Sequence, residues 1–331
     1  MESKKKLLLT GGAGFIGSNL VNHLARENYE IIVLDILDYV GRIENLLPSE
    51  NVKFVKGDIN DFNFVLYLLQ EYRIQVILHL AAQSHVDLSF ENSLKFTQTN
   101  ILGTHNLLEA ARKYGELELF LHMSTDEVFG EIGLHETESY GENQVLAPTN
   151  PYAASKASAE LIVKSYAISY KMPTIIVRAN NNYGPRQFPE KLIPKFIMLL
   201  LMDQPLPIHG SGETRRNFIH VYDTCRALQV ILEKGQIGEC YNIGTDCEYS
   251  VNEIADLLRE KICPERSDVT FTAPDRNFND VRYFISSEKL RNLGWREEET
   301  NFNDCLSDLI EWYRERFDFY AELMVKHVPP V

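Results

Sequence analysis

The stretch Leu7-Leu-Leu-Thr-Gly-Gly-Ala-Gly-Phe-Ile-Gly17 carries an apolar strand pattern that runs directly into a cluster of glycines. Gly12, Gly14 and Gly17 satisfy G-x-G-x-x-G, and Gly11, Gly14 and Gly17 satisfy the wider G-x-x-G-x-x-G. Missing Cβ atoms permit a tight turn and let the N-terminus of the following helix approach a pyrophosphate. The spacing therefore predicts a strand, a dinucleotide-binding turn and a helix.

Later strand ends support a dinucleotide site at this turn. Asp35 follows about twenty residues on, where a carboxylate binds the adenine ribose hydroxyls and repels a 2′-phosphate, so the sequence favours NAD over NADP. Asp58 and Ile59 follow the third strand and suit an adenine contact. The fourth strand ends in His79-Leu-Ala-Ala-Gln83, whose small residues leave room for a nicotinamide, while His79 itself is expected to be a core residue.

Short apolar runs alternate with amphipathic stretches, a rhythm that predicts repeated βα units and a parallel sheet covered by helices on both faces. The predicted strands cover residues 6–9, 31–34, 52–55, 76–80, 119–123 and 174–177. The predicted helices cover residues 17–28, 62–72, 93–114 and 152–170. We expect an α/β fold, a doubly wound parallel sheet of the Rossmann type with a smaller, interleaved C-terminal domain.

The rhythm changes after Arg178, where prolines and glycines interrupt the chain repeatedly. Strand patterns return at 217–221 and 241–243, so the second region is expected to interleave with the first. We predict an NAD-binding domain of residues 1–183 plus about 217–246. The substrate-binding domain is predicted to comprise residues 184–216 and 247–331.

The net charge and the apolar content of the sequence limit which binding partners are expected. The 331 residues include 33 Lys and Arg against 47 Asp and Glu, a net charge of −14. We therefore expect no nucleic-acid binding, although a few arginines focused in one cleft suit an anionic small molecule. No stretch approaches the ~20 apolar residues of a membrane span, and the run 7–9 is too short for a signal peptide. The expectation is a soluble, cytoplasmic protein with no membrane contact.

The five cysteines contain no C-x-x-C pair and lack a nearby histidine cluster. Neither a disulfide framework nor a metal site is expected.

Tyr152-Ala-Ala-Ser-Lys156 has the spacing Y-x-x-x-K, which puts both side chains on one face of a helix. An ammonium next to a phenol stabilises the phenolate, so the pKa of Tyr152 is expected to fall toward neutrality and the residue to act as a base. Asn150-Pro151 is expected to start this helix.

The strand-end cluster Ser124-Thr-Asp-Glu-Val-Phe-Gly130 adds a hydroxyl and two adjacent carboxylates. Thr125 suits a hydrogen bond to a substrate alcohol, while Asp126 and Glu127 provide one acid and one base. A simple dehydrogenase needs neither carboxylate. Loss of water from C5 and C6 of a hexose needs both, because the C5 proton must be taken while the C6 hydroxyl is protonated.

The chain resembles the nucleotide-diphospho-glucose 4,6-dehydratases, which are extended short-chain dehydrogenases/reductases, over nearly its whole length. The resemblance is carried by seven segments, at residues 10–18, 81–89, 124–130, 150–156, 181–185, 188–194 and 241–244. It implies that Tyr152 takes the C4 hydroxyl proton as hydride passes to NAD, with Lys156 holding the cofactor ribose and Thr125 orienting the hydroxyl. Glu127 would then remove the C5 proton as Asp126 protonates the departing C6 hydroxyl, and the hydride would return to C6.

The resemblance also implies two sets of binding residues. The cofactor set is Gly11, Gly14, Phe15, Ile16, Gly17, Asp35, Asp58, Ile59, Leu80, Ala81, Ala82, Thr99, Tyr152, Lys156 and Asn182. The nucleotide-sugar set is Ser84, Thr125, Asn181, Lys191, Leu192, Pro207, Ile208, His209, Arg216, Asn242, Arg276 and Asn279. Of these, Arg216 and Arg276 suit a bidentate grip on a diphosphate.

Some positions depart from the bacterial thymidine-nucleotide pattern. Gln83 stands where a glutamate is usual, Phe129 replaces a tyrosine, and Asp275-Arg-Asn-Phe-Asn-Asp280 replaces a segment that normally reads Asp-Arg-Pro-Gly-His-Asp. The last change resembles the uridine-nucleotide dehydratases of eukaryotic-type rhamnose pathways. Both dTDP-glucose and UDP-glucose therefore stay open as substrates.

Two other functions share part of this pattern. A nucleotide-sugar 4-epimerase or decarboxylase would keep the glycine turn, Tyr152 and Lys156 without needing Asp126 and Glu127. A non-catalytic, NAD-sensing regulatory protein would typically have lost the tyrosine or lysine. A homodimer is common among the resembling enzymes and would pair the helices predicted at 93–114 and 152–170.

Overall fold

The computed structural model describes residues 4–274 and 280–328. Its strands are β1 (Lys5–Thr10), β2 (Tyr29–Asp35), β3 (Val52–Lys56), β4 (Val76–His79), β5 (Leu119–Thr125), β6 (Thr174–Ala179), β7 (Asn181–Tyr183), β8 (Leu206–His209), β9 (Arg215–His220), β10 (Cys240–Ile243), β11 (Glu248–Ser250) and β12 (Thr270–Ala273). Seven of them form one parallel sheet in the order β10-β6-β5-β4-β1-β2-β3. The predicted Rossmann-type sheet is confirmed.

The helices of the described residues are α1 (Phe15–Leu24), α2 (Phe62–Tyr72), α3 (Val86–Glu91), α4 (Ser93–Phe96), α5 (Gly103–Tyr114), α6 (Pro151–Tyr170), α7 (Leu192–Leu201), α8 (Val221–Lys234), α9 (Val251–Ile262), α10 (Glu288–Asn292), α11 (Phe302–Arg314) and α12 (Phe317–His327).

Alternation along β1 shows how the sheet is covered on both faces. Leu7 and Leu9 pack in a core with α1 and α8, whereas Leu8 packs in a second core with α2, α5 and α6. Because strand side chains point alternately to opposite faces, a run of apolar residues is buried on both sides. His79 lies in this interior between the hydroxyls of Thr10 and Thr104, each 2.8 Å away, so its prediction as a core residue is confirmed.

Two predicted helices differ from the structure. The first begins at Phe15 with Gly14 as its N-cap and ends at Leu24. The segment predicted as one helix over 93–114 is interrupted by a π-helical turn, Thr97–Leu102, between α4 and α5. Within that turn Asn100 points inward, where its amide donates to Ser155 Oγ and to the backbone carbonyl of Gln83. Inserted π turns often lie at functional sites.

The second half of the chain builds a separate apolar core. It contains residues of α7, α9, α11 and α12, and it packs beside a three-stranded sheet, β11-β9-β7, and the two-stranded pair β12-β8. Between these elements the chain returns to the large sheet through β10, while α8 packs against α1. The predicted strand at 217–221 is β9, which ends at His220 because Val221 begins α8.

The strand order reverses between β1 and β4, since β1 leads to β2 on one side and β4 leads to β5 on the other. In open parallel sheets, ligands bind outside the carboxyl ends of the strands at such a switch point. The segments that leave β1 and β4 there are the glycine turn and residues 80–83. The fold therefore places both halves of the predicted dinucleotide site at one crevice.

Candidate active site

The glycine turn packs directly against the end of β4. A Cβ atom on Gly11 would lie 2.7 Å from the backbone of Ala81, and one on Gly17 would lie 2.2 Å from the carbonyl oxygen of Gly11. Gly11 also has a φ of +72°, which L side chains rarely adopt. The turn thus needs glycine at both positions, and it leaves the N-terminus of α1 facing the crevice.

Asp35 at the end of β2 holds this turn in place. Its Oδ2 accepts a hydrogen bond from the backbone N–H of Ala13 at 3.0 Å, and its Oδ1 accepts one from Leu37 at 2.8 Å. Burial raises the pKa of the Asp35 carboxyl, partly offset by these two bonds. Each carboxylate oxygen has a second lone pair, so the group can still accept ribose hydroxyls.

One continuous cleft runs from this turn to the end of β5. Every member of the predicted cofactor set lines it: Gly11, Gly14, Phe15, Ile16, Gly17, Asp35, Asp58, Ile59, Leu80, Ala81, Ala82, Thr99, Tyr152, Lys156 and Asn182. The cleft is also lined by the predicted catalytic residues Thr125, Asp126 and Glu127, and by Ser84, Asn181 and Lys191 from the predicted substrate set. Within it, Lys191 Nζ donates to the carbonyl oxygen of Ser84 at 2.8 Å.

Other members of the predicted substrate set lie outside the lining of the cleft. Pro207, Ile208 and His209 belong to β8, and Leu192 begins α7. Asn242 is fully buried in β10, where its amide nitrogen donates to the carbonyl oxygen of Tyr140. Arg276 and Asn279 lie outside the described residues. The amide oxygen of Asn242 is buried and has no hydrogen-bond partner among the described residues, and the substrate contact predicted for Asn242 stays a prediction.

Arg216 lies close to the two carboxylates without lining the cleft. Its guanidinium donates to the backbone carbonyls of Asp280 at 2.7 Å and Val281 at 3.3 Å, and it sits 4.7 Å over the ring of Tyr283. Its positive charge lowers the pKa values of Asp126 and Glu127 against the larger effect of burial. The diphosphate grip assigned to Arg216 stays a prediction.

Helix α6 carries Tyr152 and Lys156 into the cleft. Pro151 occupies its first turn, and the Asn150 side chain caps it by accepting from the backbone N–H of Ala153 at 2.8 Å. Lys156 Nζ donates to the carbonyl oxygen of Met123 at 2.7 Å. Burial lowers the pKa of Lys156 to about 8.

The expected lowering of the Tyr152 pKa is contradicted by this structure. The pKa of Tyr152 is raised, first by burial and then by the negative charge of Glu127, although a hydrogen bond with Thr125 acts in the opposite direction. The sequence pattern reveals the lysine four residues away but not the carboxylates from the neighbouring strand end. Those carboxylates and the loss of water around the ring decide the sign.

Asp126, which is buried, and Glu127, which is partly buried, form an acid pair in a 3₁₀ turn directly after β5. Burial raises the pKa of Asp126 to about 6, and burial together with the charge of Asp126 raises the pKa of Glu127 to about 7. Because the two groups interact, they titrate as a unit. Between these values the pair holds one proton, which gives one acid and one base in the same site. The higher pKa belongs to Glu127, so the arrangement with the proton on Asp126 and Glu127 ionised is the less populated of the two.

Two asparagines that the sequence reasoning did not assign to the site contact this pair. Asn180 Nδ2 donates to Asp126 Oδ2 at 2.7 Å, and Asn150 Nδ2 donates to Glu127 Oε2 at 3.3 Å. Asn150 was identified only as a helix start, and Asn180 stands in an Asn-Asn-Asn run with no spacing that marks it. Their roles follow from the sheet, which brings the end of β6 beside the end of β5.

Among the described residues, no group of three or more His, Cys, Asp and Glu side chains is arranged to hold a metal ion. Over the same residues, no helix combines the length and apolar character that crossing a bilayer requires.

A parallel sheet with a glycine-lined crevice at its switch point, joined to a Tyr-x-x-x-Lys helix, defines a dinucleotide-binding protein of the extended short-chain dehydrogenase/reductase type. The chain belongs to the GDP-mannose 4,6 dehydratase family, whose sequence model matches residues 8–309.

The sequence is also similar to that of relatives with known names. The chain is 46% identical over 324 residues to a trifunctional UDP-glucose 4,6-dehydratase/UDP-4-keto-6-deoxy-D-glucose 3,5-epimerase/UDP-4-keto-L-rhamnose-reductase of Arabidopsis thaliana, covering 96% of this chain and 49% of the relative. It thus spans about half the length of that relative. It is 45% identical over 323 residues to the dTDP-D-glucose 4,6-dehydratase of Homo sapiens, covering 95% of this chain and 91% of the relative.

The fold is also similar to that of a solved 4,6-dehydratase structure. The dTDP-glucose 4,6-dehydratase of Streptomyces venezuelae, crystallised with NAD bound, superposes with a TM-score of 0.90 and is 38% identical. The match covers 96% of this chain and 99% of that one.

Proposed function

We propose that the protein is a lyase, an NAD-dependent nucleotide-diphospho-glucose 4,6-dehydratase that converts dTDP-glucose or UDP-glucose to the 4-keto-6-deoxy sugar nucleotide. The observation that carries this proposal is the acid pair, Asp126 and Glu127, which lines the same cleft as Tyr152 and Lys156. Oxidation at C4 needs only the tyrosine, the lysine and the cofactor. Elimination of water across C5 and C6 also needs a base and an acid, which the two carboxyl groups would supply.

The cleft fits NAD on features of its own. The glycine turn forms a cradle that any Cβ on Gly11 or Gly17 would fill. At the other end of the cleft, Asn182 Oδ1 is buried and has no hydrogen-bond partner within the described ranges, so it suits a carboxamide N–H. Asp35 suits the adenine ribose hydroxyls. When bound, NAD would supply a hydride acceptor at C4 of the hexose and a hydride donor at C6.

Tyr152 and Thr125 would act at the C4 hydroxyl. Thr125 Oγ1 orients this hydroxyl, and Tyr152 removes its proton as the C4–H bond breaks. Lys156 lies one helical turn beyond Tyr152 on the same face of α6, and at neutral pH it keeps its proton, because its pKa is about 8. Its positive charge favours the phenolate form of Tyr152, which is the form that accepts the C4 hydroxyl proton and becomes the neutral phenol.

Glu127 and Asp126 would act at C5 and C6. The C4 ketone acidifies the C5–H, and Glu127 takes that proton. The C6–O bond then breaks, and the hydroxyl leaves as water with the proton of Asp126. A hydride returned to C6 and a proton returned to C5 complete the product, so no net oxidation of the sugar nucleotide remains.

The diphosphate and nucleotide are proposed to bind to the second region, residues 184–216 and 247–331, with the cofactor on residues 1–183 and about 217–246. Lys191 supports this division, since it lines the cleft at the start of α7. The cytoplasm is the proposed location.

A homodimer is also proposed, through α4, α6 and the π turn. Leu94, Leu102, Leu161 and Ile168 are all more than half exposed on these neighbouring segments. Burying such apolar side chains against a second copy would remove them from water. Leu94→Glu with Ile168→Glu should convert a dimer to a monomer in light scattering, whereas Val325→Glu, equally exposed on α12, should not.

The activity is tested by incubating the purified protein with UDP-glucose and dTDP-glucose separately and reading the alkali-induced absorbance of a 4-keto sugar. The proposal predicts 4-keto product from at least one nucleotide, and a rate of product formation that is lower by roughly 10²-fold or more in Tyr152→Phe. Formation of a C4 epimer without 4-keto product from either nucleotide would contradict it.

A further inference from the structure

Asp126 has a hydrogen-bond partner on each carboxyl oxygen. It is 2% exposed, so these partners are what replaces water around it. Asn180 Nδ2 donates to Oδ2 at 2.7 Å, and Thr125 Oγ1 donates to Oδ1 at 3.1 Å. The two oxygens therefore face chemically different neighbours.

The orientation of the Asn180 amide is fixed by a third group. Asn180 Oδ1 accepts a hydrogen bond of 3.0 Å from the backbone N–H of Thr245. A backbone N–H can only donate, so the amide oxygen must face Thr245 and the amide NH₂ must face Asp126. Asn180 is 3% exposed, and its backbone N–H donates to Ile243 of the neighbouring strand, which leaves it little freedom to turn.

This arrangement distinguishes the two places where Asp126 can carry a proton. An O–H on Oδ2 would face an amide NH₂, which has no acceptor. An O–H on Oδ1 would face the hydroxyl of Thr125, which accepts as readily as it donates. The same Thr125 side chain is also hydrogen-bonded to Tyr152.

We propose that Asn180 is a positioning residue for the dehydration step, which confines the acidic proton of Asp126 to Oδ1, on the Thr125 side of the cleft. This inference rests on the proposed function, in which Asp126 protonates the departing C6 hydroxyl. Asn180 does not touch the reacting atoms in this account. Asn180 instead selects which carboxyl oxygen of Asp126 carries the proton to the reacting atoms.

The charge effect of the same bond gives a measurable consequence. Burial raises the pKa of Asp126, and the hydrogen bond from Asn180 is the largest influence that lowers it. Without that donor, Asp126 keeps its proton to higher pH. Asp126 acts in its protonated form, so the dehydration rate should fall off at high pH as Asp126 loses its proton. This alkaline limb of the pH–rate profile should move to higher pH.

The test uses Asn180→Asp in the full-length protein. This change preserves the shape, leaves an oxygen to accept from Thr245, and replaces the amide donor opposite Asp126 Oδ2 with a second carboxyl group. We expect 4-keto product to form about 10- to 100-fold more slowly, which is less than the roughly 10²- to 10⁴-fold cost of losing an acid outright, because Asp126 itself remains. The burst of reduced-cofactor absorbance on rapid mixing should be retained, because it needs only Tyr152 and Lys156.

The alkaline limb should rise by about one pH unit in Asn180→Asp, as expected for a second carboxylate beside the first. Asn180→Leu removes the donor without adding charge and should move the limb in the same direction, so it serves where the first variant folds poorly. The matched control is Asn217→Asp, since the buried Asn217 amide donates to the carbonyl oxygen of the same Thr245 at 2.7 Å. It should lower the melting temperature without moving the limb.

If Asn180 has only a structural role, the oxidation at C4 and the dehydration should slow equally, and the alkaline limb of the pH–rate profile should not move. This result would overturn the inference. Absence of 4-keto product from the unaltered protein would overturn the proposed function together with the inference. Product from the unaltered protein combined with an unmoved limb in both Asn180 variants overturns the inference alone.

Discussion

Asn150 joins the start of α6 to Glu127, because its Nδ2 donates to Glu127 Oε2 at 3.3 Å while its Oδ1 caps the helix at Ala153. One side chain thus sets both the origin of the helix that carries Tyr152 and the surroundings of the proposed base. These two duties can be separated by substitution, since a hydroxyl can cap a helix without reaching Glu127.

Asn150→Ala should lose both duties, and Asn150→Ser only one. Loss of an N-cap costs about 1 kcal/mol, so the alanine variant should unfold at lower temperature while the serine variant stays near the unaltered protein. The bond from Asn150 lowers the pKa of Glu127, so both variants should raise it above about 7. Glu127 acts ionised, and the acid limb of the activity profile should therefore move to higher pH in both. An unmoved limb in Asn150→Ser would contradict the role of this bond.

Asp35→Ala should weaken cofactor retention. The change leaves the backbone N–H groups of Ala13 and Leu37 without their acceptor, and each buried unsatisfied donor costs about 1–3 kcal/mol. NAD content per chain in the purified protein, measured after denaturation, should fall about 10-fold or more. Asp61→Ala is the control, because Asp61 caps α2 at Phe64 outside the cleft lining. It should cost stability and leave NAD content unchanged, and equal NAD loss in both variants would contradict the prediction.

A buried ion pair below the acid pair should be a main determinant of stability. Arg178 and Glu160 are both fully buried, joined by hydrogen bonds of 2.7 and 3.0 Å, and Arg178 also lies 4.6 Å over the ring of Phe129. Glu160→Leu should cost about 3–5 kcal/mol in urea denaturation, because it leaves a guanidinium buried without its partner. Adding Arg178→Met should recover most of the loss.

The control for this pair is Glu322→Gln. Glu322 pairs with Lys326 on α12, where both side chains are about 60% exposed, and such surface pairs contribute at most about 1 kcal/mol. Glu160 also raises the pKa of Lys156 against burial, so Glu160→Leu should lower that pKa below about 8. If Glu160→Leu lowers the free energy of unfolding by no more than Glu322→Gln does, the buried pair is not a main determinant of stability.

Asp126→Asn should stabilise the protein while abolishing dehydration. The pKa of Asp126 rises from its ordinary value of 3.8 to about 6 on folding, so between those values the native state binds a proton that the unfolded chain does not. Stability from this group is therefore present below about pH 4 and is lost as pH rises through about 6. The asparagine does not titrate, so its advantage should reach on the order of 2–3 kcal/mol at pH 8. Melting curves at pH 4 and pH 8 measure this, and an equal effect at both would contradict it.

The sequence was sufficient to predict the parallel sheet, because each strand is an apolar run and each helix has its own spacing. It was also sufficient for the cofactor half of the cleft, since the glycine turn and Asp35 have fixed distances along the chain. The π turn at 97–102 was missed, because it depends on Asn100 reaching across to Ser155 rather than on any local pattern.

The environment of the acid pair could not be predicted from spacing. Asn180 follows β6 and Arg216 lies in β9, and their distances to Asp126 are set by how β5, β6 and the small sheet meet. The sign of the Tyr152 pKa was missed for the same reason, since it depends on burial and on Glu127. Residues 207–209 and Asn242 belong to strands outside the cleft lining, which a motif match alone does not reveal.

The central claim is that Asp126 and Glu127 carry out the elimination of water, and it is tested most directly by solvent exchange at C5. The unaltered protein and the near-isosteric double variant Asp126→Asn, Glu127→Gln are each mixed with the active sugar nucleotide in D₂O, and C5 is read by NMR. The account predicts deuterium at C5 of the 4-keto-6-deoxy product from the unaltered protein. The double variant should show a burst of reduced-cofactor absorbance, no deuterium at C5 and little product. Dehydration by the double variant at the unaltered rate, with deuterium at C5, would contradict it.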